Sequence, residues 1–195
     1  NVDSSNANEG TLTLSGSTTV SGTVGSTNSL KVINTGAAST TSTFDDSVAS
    51  TTINIDSGTV NFNKSVTGNI DFAADGSITL SDGANITGSV DNLSGVSNKG
   101  SLTLSGSTTV SGVVGSTNNL KAITAGATGS TSIFANAVSA ATISIGSGEV
   151  DFNKSVTGNI NFTADGKIVI AGGYNITGNV DSSNANEGTL TLSGS

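Results

Sequence analysis

Histidine and cysteine are both absent from this sequence, and so are proline, methionine and tryptophan. Without histidine or cysteine the usual nucleophile–base triads cannot be assembled. Thiol and disulfide chemistry is excluded as well. Arginine is also missing: all six basic residues are lysines, against 14 acids, for a net charge of −8. Recognition of nucleic acid needs a basic face rich in bidentate phosphate contacts, so no nucleic-acid partner is expected. No run approaches the roughly 18 apolar residues of a membrane-spanning helix, so this segment is not expected to be membrane-embedded. No signal peptide is recognisable, and the chain reads as an internal window of something longer.

What is present is biased. Serine and threonine supply 62 of the 195 residues, and glycine adds 26. Such composition alone points to disorder. The apolar third of the chain argues otherwise, because its Val, Ile, Leu and Phe residues recur at regular intervals. Residues 10–91 and 100–181 agree at 53 of 82 positions, a period of 90. Linkers 92–99 and 182–187 differ by two residues, so the next period is 88. Asn179–Ser195 then repeats Asn1–Ser17 without a change, and the two periods add to 178 (90 + 88). One continuous domain over 1–195 is predicted, with repeats 10–99 and 100–187 and partial repeats 1–9 and 188–195.

Alternation at period two predicts short strands with one buried face. Each 90-residue unit divides into about four rungs, 10–35, 36–56, 57–75 and 76–99, each with about three strands. The expected fold is all-β, a parallel β-helix whose rungs stack because none can bury its apolar face alone. One expected core column is Leu14, Phe44, Phe62, Leu80, Leu104, Phe134, Phe152, Ile170 and Leu192. A second joins Val20, Val48, Val66, Ile86, Val110, Val138, Val156 and Ile176. A third joins Val24, Ile70, Val90, Val114, Ile160 and Val180. The phrase Val/Ile-x-Gly-x-Val/Ile occurs six times and places Gly22, Gly68, Gly88, Gly112, Gly158 and Gly178 at corners. A corner needs close backbone approach, which only glycine permits.

The acids do not form a catalytic pattern. Asp45 and Asp46 are replaced in the second unit by Ala135 and Asn136. Asp56, Asp71 and Asp82 align with Gly146, Asn161 and Gly172. Only Asp75/Asp165 and Asp91/Asp181 recur, in Asp-Gly and Asp-Asn/Ser turns where aspartate is first a turn residue. No catalytic, cofactor-binding or metal-ligating residue is expected, and no cofactor. Rows of Thr-x-Thr can make a flat outer face, but Thr11/Thr13 would stack with Thr59/Asn61 and Ser77/Thr79, which is irregular.

Through its Gly-x-Leu-Thr-Leu, Val-Thr-Gly-Asn-Ile and Asn-x-Gly-x-Leu-Thr-Leu phrases, the chain resembles the repeat (passenger) region of rickettsial-type bacterial autotransporter surface antigens. That resemblance implies a right-handed β-helix displayed outside the cell, often adhesive. Three functional classes follow. The first is a non-catalytic repeat segment of a secreted bacterial surface fibre or adhesin stalk. The second is a subunit of a homopolymeric extracellular filament or sheath with solenoids stacked end to end. The third is a polysaccharide-active β-helix enzyme. Expected partners are neighbouring repeats or identical chains, and a host-surface protein or glycan. An extracellular location is expected from the repeats and the Ser/Thr/Asn/Gly content.

Overall fold

Twenty-one short strands and no helix make up the chain in the computed structural model, which describes residues 1–194. All pairings are parallel, and partners lie one turn apart, from 17 residues (Ile145 with Phe162) to 24 (Val20 with Phe44). Such pairing defines a parallel β-solenoid of about nine turns.

Each turn has three faces. The first face carries Thr18–Val20, Thr41–Phe44, Thr59–Phe62, Ser77–Leu80, Lys99–Leu104 and Leu120–Ala125 in succession. The second carries Val24, then the start of Val48–Ile55 and of Val66–Phe72, then Ile86–Thr87, Thr108–Val110, Thr131–Phe134, Glu149–Phe152 and Lys167–Ile170. The third begins at Glu9–Thr13 and Leu30–Thr35 and continues through the ends of the two long strands to Val90–Asn92. Long strands such as Val48–Ile55 bend round a corner and serve two faces, with a register shift between Ala49 and Thr52.

The core is one continuous apolar column. Phe44, Phe62, Leu80, Leu104, Phe134, Phe152, Ile170, Val66, Ile86, Val110 and Val156 are buried, while Leu14, Val20 and Ile176, towards the two ends, are partly buried. Phe44 stacks on Phe62 with ring centroids 5.3 Å apart, and Phe134 on Phe152 at 5.2 Å. Offset aromatic stacking at this spacing adds to simple area burial.

The columns run differently from those expected. Leu14 sits beside Thr35, and it is Val20 that pairs with Phe44. Leu104 leads to Ala125 and not to Phe134, which pairs with Val110. Val48 follows Val24, and Val138 follows Val114. The expected columns assumed a whole number of turns per unit. Counting from Val20, Phe44, Phe62, Leu80 and Leu104 complete four turns, but Val110, the true equivalent of Val20, lies one face further on.

Gly68 and Gly158 show why the corners take glycine. Their φ values are +135° and +141°, and a Cβ would stand 1.8 Å from the Ser50 carbonyl oxygen and 2.0 Å from that of Ala140. Gly88, Gly112 and Gly178 approach the backbone of the turn before them in the same way. Gly22 approaches the preceding turn less closely, a Cβ there standing 2.9 Å from the Asn1 backbone nitrogen.

Candidate functional site

Of the recurrent acids, Asp75, Asp91 and Asp165 act between turns, whereas Asp181 accepts from the amide of the adjacent Ser182 at 2.8 Å. Asp91 is 6% exposed and accepts hydrogen bonds from Ser116 Oγ (2.7 Å), Thr117 Oγ1 (2.7 Å) and the Thr117 amide (3.0 Å), all on the following turn. Burial pushes its carboxyl up, but these donors outweigh burial and hold it below the ordinary aspartate value. Asp3, its equivalent in the first partial repeat, receives Ser26 Oγ and the Thr27 amide at 3.1 and 3.0 Å. Asp75 and Asp165 accept the amides of Gly100 and Gly188 at 3.3 and 3.2 Å. Asp75 also pairs with Lys121 at 2.9 Å, which holds its carboxyl below the usual range. Local sequence marks these aspartates only as turn residues. Their backbone partners stand about one turn away and Lys121 two turns from Asp75, too far along the chain for local spacing to reveal.

Asp45 accepts from the Asn63 side chain on the following turn at 2.9 Å, and Asp46 from the amide of the adjacent Ser47. Asp71 stands in register with Asp91 on the third face. Burial, and then the Asp91 charge, push the Asp71 carboxyl above its ordinary value. On the second face, burial and the neighbouring Glu149 raise Asp151, which stands between Ile133 and Val169. Glu149 itself pairs with Lys167 at 2.9 Å. A surface groove here brings Glu149, Lys167 and Asp165 near Ser130, Thr131 and Ser147. Among the described residues, no group of three or more acids is placed to hold a metal ion.

The outer surface of the first face is uncharged over most of its length. Thr19, Thr43, Asn61, Thr79, Thr103 and Thr124 form one vertical row. Thr41, Thr59, Ser77 and Ser101 form a second, with Ser77 donating to Thr59 at 3.1 Å. The row is more regular than expected. Thr11 and Thr13 lie on the third face and do not belong to it.

Geometry and sequence together define a three-faced, tandem-repeat parallel β-solenoid in which Asp3, Asp75, Asp91 and Asp165 tie one turn to the next. Over 203 aligned residues, 97% of this chain, it is 32% identical to Outer membrane protein A of Rickettsia rickettsii. The matched stretch covers 8% of that protein's length. The chain is therefore similar to a short stretch of a rickettsial outer membrane protein, and its solenoid fits a passenger repeat region. No family model and no solved structure matches the chain.

Proposed function

We propose that this chain is a non-catalytic structural segment of an extended fibre on a bacterial cell surface. The observation that carries the reading is where the repeated residues are used. Buried apolar side chains, corner glycines and the inter-turn pairs Asp3/Asp91 and Asp75/Asp165 recur from unit to unit, while Asp45, Asp56, Asp71 and Asp82 are replaced in the second unit, Asp45 and Asp82 among them although they too accept from the following turn. A repeat selected for chemistry would keep its acids and vary its scaffold; here the scaffold is kept. Likeness to an outer membrane protein supports the surface location.

Small-angle scattering on chains carrying one, two and three copies of the 178-residue period tests this. The longest dimension should rise by a constant increment of roughly 42 Å per copy, from nearly nine turns at about 4.8 Å each. A compact particle whose size grows with the cube root of mass would refute a fibre. A filament of separate chains joined end to end is distinguished by dilution, since it alone shortens as concentration falls.

Adhesion is a second reading, supported by the uncharged hydroxyl and amide rows of the first face, which suit a neutral polar surface such as a glycan. Glycan-array binding that is lost when Thr43, Thr79 and Thr103 are changed to lysine would support it. Binding unaffected by those changes would place adhesion elsewhere.

A further inference from the structure

The unit advances around the rod. Leu12, Leu102 and Leu190 occupy the same place in successive copies, yet they pair on the third, first and second faces respectively. Val2, Val90 and Val180 show the same rotation, on the second, third and first faces. A unit is thus four turns and one face. Three units complete thirteen turns (3 × 4 + 1) before a residue returns to its starting face, roughly 62 Å along the axis at about 4.8 Å per turn.

Loop length does not disturb this phase. From Val90 the chain crosses a corner through 92–99 to the next face, and from Val180 it crosses the next corner through the shorter 182–187. Each crossing advances one face although the loops differ by two residues. The loop at 92–99 carries Leu93 and Val96, 51% and 57% exposed, and its counterparts project from the other two corners.

We infer that the array displays each unit's surface on three sides in turn, and so suits several separate partners around its circumference rather than one partner lying along a single face. A flat partner on one face meets the same unit surface only at every third unit. Small partners that each contact one unit find every unit accessible. The inference rests on the fibre reading only in taking the array to continue. Its phase is tested on this chain alone, so the two fail separately.

Because the chain has no cysteine, engineered pairs report the phase directly. Parallel neighbours in register stand at a Cα separation that a disulfide can bridge. Thr103→Cys with Thr124→Cys, and Thr109→Cys with Ile133→Cys, should cross-link on mild oxidation. Thr103→Cys with Ile133→Cys should not. Thr79→Cys with Thr103→Cys is in register on either phase and serves as the positive control. Cross-linking of Thr103 to Ile133 in preference to Thr124 would overturn the rotation. Double electron–electron resonance gives an answer independent of disulfide yield. Labels at Thr43 and Thr124 share one face, four turns or roughly 19 Å apart, whereas Thr43 and Ile133 are separated by a corner as well. The second distance should be the longer, and a second distance equal to or shorter than the first would also overturn it.

Discussion

At the scale of single residues, the tolerances are set by how closely one turn approaches the next. Gly68→Val should destabilise the chain by at least about 3 kcal/mol in urea unfolding, because both its φ and its 1.8 Å approach to Ser50 forbid a side chain. Gly16→Ala, with nothing within 4 Å and no positive φ, should leave the midpoint unchanged. Phe62→Ala removes a fully buried ring from a stacked pair and should cost about 3–5 kcal/mol. Asp71 behaves in the opposite sense. Its folded carboxyl lies above the ordinary value, so the stability it allows is present below the unfolded value and lost as pH rises through the raised one. Asp71→Asn, which reproduces Asn161 of the second unit, should raise the melting temperature at pH 7 and make no difference at pH 3.

At the scale of the turn, the clamps decide which segments open first. Asp91 contributes in the reverse direction from Asp71. Its carboxyl is depressed, so its stabilisation is present above the unfolded value and lost as pH falls through the lower folded one. Asp91→Ala leaves the donors of Ser116 and Thr117 without their acceptor, at a cost of about 1–3 kcal/mol. Hydrogen exchange should show the Thr117 amide losing protection while Thr27, held by Asp3, keeps its own. Equal loss at both would mean that the clamp is not local.

This scale also separates what was legible in the sequence from what was not. Alternation placed Phe62 and Val66 inward because the strand period is fixed by the backbone, and the glycine of Val-x-Gly-x-Ile marked a bend because only glycine fits there. The pairing of Leu104 with Ala125 was not legible. Turns of unequal length let two registers satisfy the same alternation, and only three-dimensional packing chooses between them. The role of Asp91 was hidden for a related reason: its donors follow it by 25 and 26 residues, in a segment whose alignment to the previous turn depends on that register.

For the whole molecule, stability comes from stacking and hardly at all from ion pairs. Two salt bridges are present among the described residues, both with largely exposed lysines, and such pairs contribute about 0–1 kcal/mol. Raising sodium chloride from 0.05 to 1 M should therefore leave the urea midpoint nearly unchanged. A marked fall would show that charge, and not the apolar column, carries the fold.

The short reach of every pairing bears on how such a chain is made. No strand waits for a partner more than 24 residues behind it, so the search each new turn must perform is the same at the hundredth turn as at the second. Loop-closure entropy grows with the separation of the ends, and here that separation does not grow. A chain emerging end-first from a narrow exit can lay each turn on the one before it as soon as a couple of dozen residues are free. Lengthening the protein then adds time in proportion, without adding a harder folding problem.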